Sequence, residues 1–152
     1  MLTPAAFAIV WPTFALVALI FVVWFVMFTQ RLAHMRRNPP RPRDLADSES
    51  AGRYFQPVEM ASNNLRNLFE MPVLYFVVVL LMLVLHQADY PQVVLAWAFV
   101  LARALHSVVH IGPRNVRARF GLYLLSCVLL SAMWIGLFVD TLHAASVLAR
   151  VG

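Results

Sequence analysis

The stretch PAAFAIVWPTFALVALIFVVWFVMF, residues 4–28, contains no charged residue and decides the class of fold. A helix that crosses a bilayer needs about 20 mainly apolar residues, and this stretch is long enough. No basic segment precedes it, it is longer than the apolar part of a signal peptide, and it leads into arginines without a small-residue cleavage site. We therefore predict an uncleaved first transmembrane helix.

Three further apolar stretches follow, at residues 71–85, 93–111 and 120–139. The first of these is short and needs the polar residues before it to complete a span. Of the whole chain, 62% is hydrophobic and only 12% is charged, whereas soluble domains average about 25% charged residues. The sequence predicts an all-α integral membrane protein, a single domain over residues 1–152 that forms an up-down bundle of four transmembrane helices. The predicted spans lie at roughly residues 4–29, 60–86, 92–111 and 119–140, with a cytoplasmic loop at roughly 32–58.

The arginines are concentrated in two of the three connections between spans. Two groups are found there: Arg31, Arg36, Arg37, Arg41, Arg43 and Arg53 in the first connection, and Arg114 and Arg117 in the third. The positive-inside rule places both connections in the cytoplasm and both termini on the non-cytoplasmic side. The chain has no lysine, a bias typical of GC-rich bacterial genomes, so we expect a bacterial inner (plasma) membrane. Arginines at membrane edges explain the net charge of +5 without a nucleic-acid partner.

A polar stripe precedes the second apolar stretch. Helical periodicity places four residues on one face with Arg66 beside them: Glu59, Asn63, Asn67 and Glu70. An unpaired charge inside a bilayer costs at least about 2.5–3.5 kcal/mol. We therefore expect the stripe to face other helices or a water-filled cavity near the cytoplasmic edge.

Polar residues on the third and fourth helices match this stripe. Arg103, His106 and His110 share one face of the third helix, while Arg119 opens the fourth helix, with Tyr123 and Ser126 on the same side. We predict an ion pair between Glu70 and Arg103, since pairing removes most of the cost of either charge.

These polar groups allow two interpretations. The first is a pocket for an anionic ligand, in which arginines recognise carboxylates or a thiolate and the amides orient the ligand. The second is a structural network that fixes helix register. A zinc site on His106 and His110 has no carboxylate at helical spacing to complete it, so we predict no metal. The one cysteine, Cys127, lies in an apolar run and is interpreted as a packing residue.

The residues resemble those of the MAPEG family, the membrane-associated proteins in eicosanoid and glutathione metabolism. The resemblance covers nearly the whole chain. Within the family, the sequence is most similar to an uncharacterised bacterial branch. Its motifs are NLFE with Pro72 on the second helix, RALH with His110 on the third, and Arg119 with Tyr123 on the fourth.

The resemblance implies a homotrimer with glutathione bound between neighbouring subunits near the cytoplasmic side. It implies that Arg119 stabilises the glutathione thiolate. This is physically reasonable, because a nearby cation lowers the pKa of a thiol. The implied glutathione contacts are Arg31, Asn63, Arg66, Asn67, Glu70, Arg103, His106, His110 and Tyr123. A lipophilic electrophile would approach from the bilayer.

Three positions depart from an enzymatic member of the family. Asn63 replaces an arginine, His110 replaces a tyrosine and Phe120 replaces a serine. Two hypotheses follow, and these three departures favour the second of them. The first, favoured by Arg119 with Tyr123, is a glutathione-dependent transferase or peroxidase that acts on lipophilic small molecules. The second is a non-catalytic lipid-binding or accessory membrane protein, a subunit of a larger complex, because the family also has a lipid-binding member without enzymatic activity.

Overall fold

The computed structural model describes residues 3–112 and 115–151, so that Arg114 of the third connection lies outside the described residues. Within these ranges the chain is helical and contains no strand. The helices are α1 (Pro4–Ala8), α2 (Val10–Arg37), α3 (Ser48–Phe55), α4 (Glu59–Leu68), α5 (Met71–Val84), α6 (Tyr90–Ile111) and α7 (Val116–Val151), with short 3₁₀ turns at Pro42–Leu45 and Gln56–Val58.

Four helical stretches are long and apolar enough to cross a membrane, which confirms the predicted four-helix membrane fold. They are Pro4–Arg37, Ser48–Val84, Tyr90–Ile111 and Val116–Arg150. Many large apolar side chains on their outer faces are exposed, such as Phe21 at 66% and Leu80 at 60%. In water such a surface would be unfavourable, whereas in a bilayer it contacts lipid hydrocarbon or another membrane helix.

An apolar core lies at one end of the bundle. It is formed mainly by α5, α6 and α7, with α1 and the start of α2 closing it. Tyr75 and Phe99 are fully buried there and stack with parallel rings 5.0 Å apart. The hydroxyl of Tyr75 lies 3.2 Å from that of Thr13, which ties α5 to α2. Packing of α6 against its neighbours therefore holds this end together.

Helix α7 is much longer than a bilayer requires. Its 36 residues correspond to roughly 54 Å at 1.5 Å per residue, whereas the hydrocarbon core is about 30 Å thick. Thr141 still touches the rest of the bundle through Gln87. Beyond Ala144 the side chains up to Arg150 are exposed, so the last turns project beyond the bundle.

The segment expected to be a cytoplasmic loop contains the helix α3. The side chain of Asp47 caps this helix by accepting a hydrogen bond from the backbone N–H of Ser50 at 2.7 Å, as N-cap residues do. One turn further on, Arg53 pairs with Glu49 at the i, i+4 spacing that stabilises isolated helices. These local interactions explain why a polar segment without an apolar run is helical.

Candidate functional site

The site begins at a break between α4 and α5. The sequence predicted one continuous helix here, but α4 ends at Leu68 and α5 begins at Met71. Pro72 is the cause, because proline has no N–H to donate to the carbonyl one turn earlier and its ring clashes with that carbonyl. At the end of α4 the carbonyl oxygen of Arg66 accepts from the N–H of Phe69 at 2.9 Å, and the break leaves carbonyls after it available to other groups.

Arg103 of α6 uses one of these free carbonyls. Its side chain is fully buried, and Nη2 donates to the carbonyl oxygen of Asn67 at 2.8 Å. The guanidinium also lies 5.8 Å from the ring centre of Tyr123, at the outer range of a cation–π contact. The Nε and Nη1 atoms have no hydrogen-bond partner in the described chain. Arg103 therefore brings a buried and incompletely compensated positive charge to this end of the bundle.

The predicted ion pair between Glu70 and Arg103 is wrong. Across residues 3–112 and 115–151, ion pairs join only Arg43 to Asp44 and Arg53 to Glu49, in and beside α3. The physical reason is the helix break, which supplies Arg103 with a carbonyl oxygen instead and leaves Glu70 exposed in the junction. The carboxylate of Glu70 is thus available to a ligand.

Two further buried polar residues were not among the predicted site residues. Ser107 of α6 donates its hydroxyl to Oδ1 of Asn64 at 3.3 Å, and the amide nitrogen of Asn64 has no partner in the described chain. Both residues are nearly inaccessible. Their signal in the sequence is a polar side chain within or beside an apolar span, which is costly unless it faces the bundle interior.

The two histidines of α6 form a hydrogen-bonded chain that ends on α7. Nδ1 of His106 lies 3.1 Å from the carbonyl oxygen of Arg119, and Nδ1 of His110 lies 3.4 Å from Nε2 of His106. The rings meet edge to face, with centroids 5.4 Å apart. Both side chains are almost fully buried. The two hydrogen bonds therefore fix the ring orientations and join α6 to the start of α7.

These elements line an open polar cavity with a volume of about 370 Å³, within the usual range for ligand pockets. It brings together seven of the ten predicted site residues and adds Val116 and Phe120. Its lining is Asn63, Asn67, Glu70, His106, His110, Val116, Arg119, Phe120 and Tyr123. Arg119 and Tyr123 are half-buried in its wall. The cavity therefore combines a cation, a carboxylate, two amides, two imidazoles and a phenol, beside two apolar side chains.

The other three predicted site residues do not line the polar cavity. Arg103 is fully buried and bonds to the carbonyl of Asn67 instead. Nη2 of Arg31 donates to the hydroxyl of Ser62 at 3.1 Å, and its guanidinium lies 4.8 Å from the ring centre of Phe55. Arg66 is exposed on α4. Within one chain, the site thus has fewer cations than the sequence suggested.

The described residues contain no group of three or more histidine, cysteine, aspartate or glutamate side chains placed to hold a metal ion. His106 and His110 bond to each other and to a carbonyl instead.

The sequence model of the MAPEG family matches residues 9–139, most of the chain and every residue that lines the polar cavity. The chain belongs to the MAPEG family. Comparison with curated proteins and with solved structures gave no significant match. MAPEG membership agrees with the four membrane helices and associates the protein with membrane-bound glutathione or eicosanoid metabolism in general.

Proposed function

We propose that this MAPEG protein is a glutathione-dependent transferase or peroxidase for lipophilic electrophiles. The observation that carries the proposal is the polar cavity, in which Arg119 and Glu70 lie beside the amides of Asn63 and Asn67. A thiolate nucleophile needs a cation beside it, and a peptide substrate needs groups that recognise its backbone and its charged ends.

The residues present fit the chemistry of glutathione, a tripeptide with an ammonium group, two carboxylates and a thiol. Glu70 would hold the ammonium group, and Asn63 and Asn67 would bond to the peptide groups. Arg119 would stabilise the thiolate, with the phenol of Tyr123 as a further donor. Glutathione supplies the nucleophilic sulfur, and these side chains orient it.

The apolar side of the cavity supports a substrate that arrives from the bilayer. Val116 and Phe120 are 63% and 66% exposed, and both also line the polar cavity. On the same helix Leu124 and Val128 are also exposed, so the outer face of α7 is continuous with the hydrocarbon. A lipophilic electrophile dissolved there would meet the thiolate laterally. A C–S bond forms to its carbon, and the leaving group departs with the electron pair of the broken bond.

The small number of cations in the cavity supports a site that is shared between subunits. Glutathione has two carboxylates, while Arg119 is the one arginine that lines the cavity in the described chain. We propose a homotrimer in the bacterial inner membrane, with both termini on the non-cytoplasmic side, in which Arg31 and Arg66 reach the site from a neighbouring copy.

Mixed assemblies test this arrangement. Co-expression of Arg66→Ala and Arg119→Ala chains should restore part of the activity that each variant lacks alone, because some shared sites then receive both arginines. Mixtures that stay as inactive as either parent, although mass spectrometry shows mixed oligomers, would contradict the shared site.

A second candidate function is lipid binding without catalysis, as an accessory subunit. The supporting observation is an apolar cleft of about 360 Å³ between α2 and α6. Its lining is Leu19, Val22, Val23, Val26, Ala104, Ser107, Val108, Ile111 and Gly112. The described residues that line this cleft expose no polar surface to it, so it suits an acyl chain.

Two measurements on the detergent-purified protein separate these functions. For the enzyme, millimolar glutathione should raise the melting temperature, and the protein should conjugate glutathione to an aryl halide above the uncatalysed rate. S-methylglutathione is the control, because it should stabilise the protein without supporting conjugation. If neither stabilisation nor conjugation is seen, while a fatty acid raises the melting temperature, the lipid-binding function is favoured.

A further inference from the structure

The imidazole chain from Arg119 to His110 has a defined direction. The carbonyl oxygen of Arg119 can only accept a hydrogen bond, so the Nδ1 atom of His106 at 3.1 Å carries the proton. In a neutral imidazole the other nitrogen is then an acceptor. Nε2 of His106 therefore accepts from Nδ1 of His110 at 3.4 Å. The same rule leaves Nε2 of His110 with a free lone pair.

This nitrogen has no other protein partner among the described residues, and the side chain that carries it lines the polar cavity. The charged and titratable groups around it are Arg103 and His106 from α6, Arg119 and Tyr123 from α7, and Glu70 from the junction of α4 and α5. On the other side of α6, the α2 residues of the apolar cleft are uncharged.

Thiol activation by Arg119 leaves a proton without an acceptor. A guanidinium has five donors and no lone pair, so Arg119 can stabilise a thiolate but cannot take the proton of a thiol. Among the cavity side chains, a phenol in its neutral form is a poor base, and the amides of Asn63 and Asn67 are weaker still. The carboxylate of Glu70 and Nε2 of His110 remain. Glu70 is exposed at the helix break, whereas the His110 side chain is 4% exposed and its ring is held in place by His106. The fixed ring is the better positioned of the two bases.

We propose that Nε2 of His110 is the general base that accepts the thiol proton, an inference that rests on the proposed glutathione-dependent function. The S–H bond breaks, its electron pair stays on sulfur, and a new N–H bond forms at Nε2. The products are a thiolate and an imidazolium, so the net charge of the cavity does not change. Arg119 stabilises the thiolate, and His106 keeps the imidazolium ring in place through the bond to its Nε2. The imidazolium later gives the proton to the leaving group or to water.

Proton counting on the unmodified protein tests whether a group of the cavity takes the thiol proton, and the same measurement on the variant below assigns it to His110. Glutathione is added at neutral pH in weak buffer that contains an indicator dye, while the ultraviolet absorbance of thiolate is recorded. If His110 takes the proton, thiolate appears with far less than one proton released per thiolate. Release of one proton for each thiolate would overturn the proposal, as would glutathione binding and conjugation without any thiolate signal.

The variant His110→Gln adds a kinetic test, because glutamine can still donate a hydrogen bond but is not a base. General-base catalysis typically contributes about 10²–10⁴-fold, so kcat/KM for the aryl halide should fall about hundredfold at neutral pH. The loss should shrink as the pH rises, since free thiolate becomes more abundant. His143→Gln, at the opposite end of the bundle, is the matched control and should behave like the parent.

The results distinguish this inference from the function on which it rests. An unchanged pH profile and unchanged proton release in a folded His110→Gln protein would overturn the role of His110 and leave the glutathione-dependent function intact. No thermal stabilisation by glutathione and no conjugation by the unmodified protein would overturn both.

Discussion

Helix α6 passes through two regions of opposite character. In its first half Ala96, Phe99 and Val100 are buried in the apolar core. In its second half Arg103, His106, Ser107 and His110 are buried beside Ala102, whereas Gln92 is the buried polar residue of the first half. An apolar core in a membrane needs only close packing, because lipid tails are as apolar as leucine. A buried polar region is costly in the same surroundings, and the second half is where we propose that a ligand binds, while the first half packs the bundle.

The largest effect should come from the cation of the polar region. Arg119→Ala removes the group proposed to stabilise the thiolate, and loss of one such stabilising group typically costs about 10²–10³ in rate. We expect conjugation of the aryl halide to fall by that factor while the melting temperature without glutathione changes little. Arg117→Ala is the matched control, because Arg117 is exposed two residues away and does not line the cavity. Equal activity of the two variants would refute the role of Arg119.

The apolar core should respond in the opposite way. Phe99→Ala removes the ring that stacks on Tyr75 and should destabilise the bundle by about 3 kcal/mol, the lower end of the range for such substitutions in water-soluble cores. The loss is in packing, since lipid also solvates apolar groups. Thermal unfolding in detergent measures it, and glutathione should still raise the melting temperature. Leu101→Ala, at an exposed position on the same helix, should have little effect.

A smaller effect tests the contact between α6 and α7. Gln92 is buried, and its amide nitrogen donates to the carbonyl oxygen of Met133 at 3.3 Å. A Cβ atom added at Gly136 would lie 2.3 Å from that nitrogen. Gly136→Ala should therefore displace the amide end of Gln92 and remove its hydrogen bond, a loss of about 1 kcal/mol that the higher helix propensity of alanine partly offsets.

The double variant Gly136→Ala with Gln92→Ala checks the cause of that loss. It should be more stable than Gly136→Ala alone, because the methyl group then has space. Gly121→Ala is the control, since a Cβ there meets no atom within 4 Å. Equal losses at Gly121 and Gly136 would point to a general effect of glycine replacement in α7.

The smallest effect concerns α3, outside both regions. The hydrogen bonds from Ser50 lower the pKa of Asp47 below its ordinary value. A carboxyl with a lowered folded-state pKa stabilises the fold above its unfolded pKa, and this contribution is lost as the pH falls through the folded pKa. Amide exchange across α3, corrected for intrinsic rates, should therefore quicken in acid, below about pH 4. In Asp47→Asn, which retains a cap without a titrating group, this acid-dependent change should be absent.

The fold was predictable because the four apolar stretches are set by one physical requirement, the thickness of the bilayer. The helix α3 was not, because its cause is a local cap at Asp47 and one pair of side chains. Such short-range effects are worth little individually and are hard to distinguish from a polar loop.

The candidate site was predictable as a set of helix faces but not as a set of contacts. His106 and His110 share one face of α6, as their spacing suggested, and Arg119 of α7 lines the same cavity. The partner of Arg103 was missed because it is the backbone carbonyl of Asn67, which lies at the end of α4 beside the helix break that precedes Pro72. Side-chain patterns do not show which main-chain groups lack partners, and the proline was the available signal.

The excess length of α7 offers a position at which the membrane topology of the protein can be measured. Its final turns lie past the last contacts with the bundle, and residues 145–150 are exposed and helical. A cysteine introduced at Ala149 would be reachable by a membrane-impermeant maleimide from one compartment only, and it would not disturb the packing. Cys127 is the chain's single native thiol and is partly covered within the apolar part of the same helix. The extent of labelling would be compared between intact cells and inverted vesicles. Because the helices alternate in direction, this one site would then assign the compartment of every connection.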